Sequence, residues 1–209
     1  MQILKRLLRP LAQVWRRTIE MKAGIFMAQA VCGDRKEKSC MAELAPTVSN
    51  VREWRADFPI SQSAFKKRIF EGNELFELFV DQQAICYGWV AQHGVRIGVL
   101  HDLQFKVPDK AFYIWDCATS PAFQGHGHFQ SLLKAILASH ESGTTALVAV
   151  DSKNYASRAA LRKAGFQPVF SYFSIRIFGA VVWSGVVEEG KLKKAQPRFD
   201  QLNTGLEIG

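Results

Sequence analysis

The sequence has no run of eighteen consecutive apolar residues, so no membrane-spanning helix is expected. Nor does it have the uninterrupted apolar core and small-residue cleavage site of a secretory signal. Cysteine is scarce: four residues (Cys32, Cys40, Cys86, Cys117), none in a CxxC pair or other metal-ligand spacing. That excludes a disulfide framework and a structural zinc site, and reads as free thiols in a reducing compartment. Zinc-finger spacing, ribonucleoprotein signatures and internal repeats are all missing. Nucleic-acid binding therefore has only net charge to support it, and no nucleic-acid partner is expected.

What is present is globular composition: 48% hydrophobic and 22% charged residues in 209, enough for one domain with a substantial core. The formal net charge of +8 suits an anionic cofactor, an acidic acceptor or an anionic surface. Part of that charge lies in residues 1–22, where Lys5, Arg6, Arg9, Arg16 and Arg17 precede the first acid. Leu4, Leu7, Leu8, Leu11 and Trp15 fall at helical spacing between them, with Pro10 interrupting a single long helix. Two readings stand. The segment is an interfacial helix in peripheral contact with anionic membrane through residues 1–20, or it docks its leucines on the domain.

Residues 23–187 carry the pattern of a folded domain, and residues 188–209 read as a weakly ordered tail. Val48–Phe58 and Ser61–Glu71 have helical spacing around Pro59, with Ser61 as N-cap and Gly72 as the stop. Glu74–Asp81 and Ala84–Ala91 alternate as a β-hairpin. Lys110–Thr119 predicts a strand, Gln124–His140 a helix, Thr144–Asp151 a strand and Lys153–Ala164 a helix. Val169–Phe178 and Ala180–Val187 close the pattern as a hairpin around Gly179. The fold class is α+β: a mixed, mostly antiparallel sheet with helices on both faces.

Two segments carry chemistry. In Thr119–Phe129 a strand runs through Gln124-Gly-His-Gly-His-Phe129 into an amphipathic helix. Such a turn points free backbone N–H groups at an anion from the positive end of a helix dipole. In Ala146–Phe166 a buried strand meets Asn154 at a helix start, and the helix exits through Gly165-Phe166. Over roughly residues 40–185 the two segments together resemble the GCN5-related N-acetyltransferase (GNAT) superfamily. Gln124, Gly125, His126, Gly127 and His128 fit its phosphate signature, and Phe129 departs from it at the last place. Asn154, Ser157, Lys163, Gly165 and Phe166 fit the downstream signature, with Leu161 where a tyrosine is often found.

The resemblance implies a GNAT-like acyl-CoA acyltransferase fold, with acetyl-CoA as acyl donor and no metal. The cofactor would lie in an opening between two strands near a β-bulge, against Cys117, Ala118 and Thr119. Its pyrophosphate would meet Gln124, Gly125, His126, Gly127, His128 and Phe129, and Asn154 would stand beside the pantetheine. Ser157 or Tyr155 is the candidate acid for the departing thiolate, because Leu161 cannot donate a proton. Asp116 is the leading candidate base or a structural hydrogen-bonding group, with His101 and Asp102 as loop alternatives. His126 and His128 read as anion contacts rather than metal ligands.

The loops around Gln92–Phe105 and the early helices are expected to shape the acceptor pocket, with Trp54, Phe58, Trp89 and Trp115 available for stacking. The expected activity is N-acetyl transfer to a primary amine, first a small molecule such as an amino sugar, by direct attack in a ternary complex. The alternatives are a protein N-acetyltransferase and a non-catalytic acyl-CoA sensor of the same fold. A cytoplasmic location is expected, with monomer and homodimer both open.

Overall fold

The computed structural model describes residues 19–32, 47–55, 59–98 and 103–202. Its strands are β1 (Ile19–Ala30), β2 (Thr47–Val51), β3 (Asn73–Val80), β4 (Gln83–Ala91), β5 (Arg96–Gly98), β6 (Gln104–Lys106), β7 (Ala111–Thr119), β8 (Thr145–Asp151), β9 (Gln167–Ile177), β10 (Ala180–Glu188) and β11 (Lys191–Lys194). Its helices are α1 (Gln62–Phe70), α2 (His128–Ala138), α3 (Tyr155–Lys163) and α4 (Ala195–Gln201). Nine strands form one sheet in the order β11-β10-β9-β1-β8-β7-β4-β3-β2, and β5 and β6 pair separately. Every neighbouring pair is antiparallel except β7 and β8.

The β3–β4 hairpin turns on Asp81 and Gln82, both at positive φ (49° and 64°), the twist-matched geometry of a two-residue connection. One sheet face packs Met27, Phe76, Leu78, Phe112, Ile114 and Val148 against Leu132, Leu133 and Ile136 of α2 and Leu161 of α3. The other face has two clusters. Phe65 of α1 covers Leu75 and Trp89 at one end. Phe199 and Leu202 cover Phe26, Tyr113, Phe170 and Tyr172 at the other. Helices therefore lie on both faces of a mixed, mostly antiparallel sheet.

Three expectations need correction. The helix read over Val48–Phe58 is a strand at its start, because Thr47–Val51 pairs along the open edge of β3; residues 56–58 lie outside the described region. The chain beyond Glu188 is ordered to Leu202, with Ala195, Phe199 and Leu202 fully buried. Most of the basic N-terminal segment (1–18) lies outside the described residues, and its last residues, from Ile19, already belong to β1. That strand has no counterpart among the expected elements. It inserts between β8 and β9, where Gly24 lets the Tyr172 ring lie across it: a Cβ there would come within 2.5 Å of the ring.

Candidate active site

The parallel ladder of β7 and β8 runs from Ala111↔Thr145 to Ile114↔Val148 and then stops, although β7 continues to Thr119 and β8 to Asp151. Beyond Ile114 the β7 N–H groups that face β8 thus have no ladder partner. The divergence begins beside a bulge. Tyr87 faces Ala118 and Trp89 faces Trp115, so Gly88 alone opposes both Asp116 and Cys117. Asp116 takes the extra length in the left-handed region, at φ 43°. Gly88 leaves room for Cys117, whose Sγ would sit 2.9 Å from a Cβ at that position.

Past Thr119 a single 3-10 turn (Pro121–Phe123) leads to the glycine turn, which Gln124 ties back through Nε2 to the Thr119 carbonyl at 3.1 Å. Gly125 and Gly127 both have φ 82°, and Gly127 is the N-cap of α2 with no side-chain cap. The first helical bond runs from Ser131 N–H to Gly127 O (3.1 Å). Among the described residues no hydrogen bond accepts from the amides of Gly125 through Gln130. Six donors thus stand without an acceptor among the described residues at the positive end of α2. Phe129 turns its ring into the core, so this departure from the signature does not obstruct the amides. The His126 and His128 rings lie 6.0 Å apart beside the loop. No group of three metal-type side chains occurs among the described residues.

On the far side of the opening Asn154 caps α3, its Oδ1 accepting from Ser157 N–H at 3.1 Å. Asn154 Nδ2 makes no hydrogen bond among the described residues. Ser157 is half-buried, whereas Tyr155 is 72% exposed with the Arg158 guanidinium over its ring. Leu161 is buried in the core. Cys117 is a poor nucleophile: burial pushes its thiol well above the usual range, with Cys86 and Asp116 adding to the effect. Asp116 is engaged by Arg68 Nη1 at 2.5 Å. His101 and Asp102 lie outside the described residues.

The residues expected around the acceptor divide. Trp89 is core, and Ile97 and Phe105 of β5 and β6 pack under α4 instead of lining a pocket. Phe58 lies outside the described residues, and Trp54 is anchored by its indole N–H to Ile60 O. A cavity of about 290 Å³ opens instead beside the end of β7, lined by Arg55, Glu77, Tyr87, Ala118 and Thr119 among others. Glu77 is 2% exposed and held in a fork by Arg55 (2.7 and 3.1 Å). Burial, with Asp116 nearby, raises the Tyr87 phenol. The sequence reading missed this pair; its only sign is a carboxylate in the inward register of a hairpin, between Leu75 and Phe79.

The sequence profile of the GNAT acetyltransferase family matches residues 48–166, more than half of the chain. The chain belongs to this family. The GNAT profile thus spans β2 to Phe166, including the glycine turn, the bulge and Asn154. No curated protein matches the sequence. Similar solved structures include a Drosophila protein (13% identity, TM-score 0.49, covering 86% of this chain and 58% of that one). A protein of Novosphingobium aromaticivorans assigned to the GNAT family follows (10%, 0.48, 85% and 67%). A GNAT acetyltransferase of Colwellia psychrerythraea is a third (10%, 0.47, 81% and 62%). This GNAT chain thus spans less than two thirds of the Drosophila and Colwellia proteins.

Proposed function

We propose that this GNAT protein is an N-acetyltransferase. It moves the acetyl group of acetyl-CoA to a primary amine of a small molecule such as an amino sugar, by direct attack in a ternary complex. One observation carries the reading. A single strand–turn–helix unit joins an unpaired strand opening to six unengaged amides at an uncapped helix start.

The residues fit the cofactor. The amides of Gly125 to Gln130 would hold its diphosphate, and Asn154 Nδ2 faces no competing acceptor among the described residues. Bound there, acetyl-CoA supplies an activated acyl group. The β7 N–H groups past the bulge are the donors for negative charge building on the acyl oxygen, where one donor is worth about 10²–10³ in kcat. Ser157, one turn before buried Leu161, holds a hydroxyl for the leaving thiolate, and Tyr155 is the outer alternative. The amine proton leaves through ordered water, since the Asp116 carboxylate is held by Arg68.

Removing the acid is expected to lower kcat by ~10²–10⁴-fold with acetyl-CoA affinity unchanged. Full turnover in both Ser157→Ala and Tyr155→Phe would assign that proton to solvent. Thiol release across a panel of amino sugars, small amines and peptide N-termini tests the activity itself. Leu161 in place of the frequent tyrosine favours one other reading, a non-catalytic acyl-CoA sensor: tight acetyl-CoA binding with no release on any amine would establish it.

The cytoplasm is the proposed location, with residues 1–20 contacting anionic membrane. Each cation near such a surface contributes about 1 kcal/mol. Salt-sensitive co-sedimentation with phosphatidylserine vesicles is expected for the full chain and not for a chain starting at Ile19. No binding, with a lowered melting temperature on truncation, would place the segment on the domain instead.

A further inference from the structure

We propose that Arg68 is a positioning residue for acyl transfer, holding the β7 bulge in register by pinning Asp116 in its left-handed conformation. The inference rests on the acetyltransferase reading above, and Arg68 lies outside both signature segments, 124–129 and 154–166.

Three ties join the last turn of α1 to the bulge. Arg68 Nη1 donates to Asp116 Oδ2 at 2.5 Å. Its guanidinium lies 4.4 Å over the Trp115 ring and 5.0 Å over Trp89, so the cation is clamped between indoles and carboxylate. The Arg68 carbonyl accepts from Asn73 Nδ2 (2.9 Å), and Asn73 Oδ1 accepts from the Trp115 indole N–H (3.2 Å). Asn73 is 4% exposed, so this relay is shielded from water.

The clamp acts where backbone geometry decides the chemistry. A non-glycine residue at positive φ is disfavoured and persists only when its surroundings hold it. At φ 43° Asp116 is such a residue, directly after the last strand-paired indole and directly before Cys117 and Ala118, whose backbone borders the opening. Released from Arg68, Asp116 can return to an extended conformation. The two-against-one register opposite Gly88 would then change, turning the following N–H groups away from the acyl oxygen. A misplacement on the ångström scale costs about 10²-fold in rate.

Glycine adopts positive φ without a partner. This separates an anchor from a base. Arg68→Met is expected to lower kcat about 10²-fold, with the KM for acetyl-CoA little changed. Adding Asp116→Gly to that variant should recover most of the lost kcat. A double variant no better than Arg68→Met overturns the proposal, and so does an Asp116→Gly single variant as inactive as Arg68→Met, which would make the carboxylate the base. Thermal melts read the clamp independently of turnover. Asp116→Gly should raise the melting temperature in the Arg68→Met background, where it only relieves strain; a fall there overturns the clamp. A wild-type chain that shows no transfer, with the melts as expected, would sink the enzymatic reading and leave the clamp standing. If Arg68→Met does not fold, Asp116→Gly alone decides by whether turnover survives.

Discussion

Replacing Gly127 with valine is expected to weaken acetyl-CoA binding by about 10²-fold or more while the protein stays folded. Nothing lies within 4 Å of a Cβ built at Gly127, so the valine meets no clash within the protein. The cost is conformational. At φ 82° a β-branched residue loses about 1–2 kcal/mol and will turn to negative φ. That disperses the N–H groups converging from Gly125 to Gln130. Hydrogen bonds to a charged group contribute about 1.5–3 kcal/mol each, and each 1.4 kcal/mol is tenfold in affinity, so losing two reaches that figure. Calorimetry with acetyl-CoA, beside far-UV circular dichroism, checks it. Undiminished affinity in a folded variant would remove the phosphate site from this turn.

The second large effect belongs to stability. Phe199→Ala is expected to cost about 3–5 kcal/mol, the usual range for emptying a fully buried phenylalanine site. Its ring meets Phe26, Phe105, Phe170 and Tyr172 at centroid distances of 5.6, 6.2, 5.3 and 5.5 Å. Urea denaturation reads the loss directly; a cost under about 1 kcal/mol would mean that α4 is an appendage and not core. The same helix is tied to β10 by a fork from Arg198 to Glu188 (2.7 to 3.2 Å). Arg198 chiefly holds the Glu188 carboxyl below its ordinary range. The tie therefore contributes at neutral pH and is lost as acid protonates the carboxylate, so the α4 contribution should shrink with falling pH.

The sequence made the site more legible than the fold around it. The glycine turn and Asn154 are local devices: each needs only its own neighbours, so order and spacing reveal them. The β3–β4 hairpin and the strand–helix alternation were legible for the same reason, since period and turn chemistry agree there. Three features hid. The middle of β1, Ala23-Gly-Ile-Phe-Met-Ala-Gln-Ala30, is flanked on both sides and packed on both faces, so it shows no alternation. Val48, Val51 and Trp54 have helical spacing, yet the open edge of β3 offers Thr47–Val51 a ladder that outweighs it. In α4 the buried set Ala195, Phe199 and Leu202 has helical period but spans only two turns among polar residues. Arg68 could not be singled out either, because its partners Asp116 and Trp89 are brought to it only by the assembled sheet.

The place of β1 in the sheet has a consequence for how the chain reaches its structure. Gly24 pairs with Asp151 on one side and Tyr172 on the other, so this strand leaves the ribosome long before either partner exists. Such distant pairing is slow to close. Until β8 and β9 emerge, an apolar strand with two bare edges must wait, a state prone to association with other chains. Once it is seated, the two halves of the sheet are hydrogen-bonded through it: in the ladder order β1 stands between β9 and β8. Refolding yield should therefore depend on protein concentration more steeply than the size of the domain suggests.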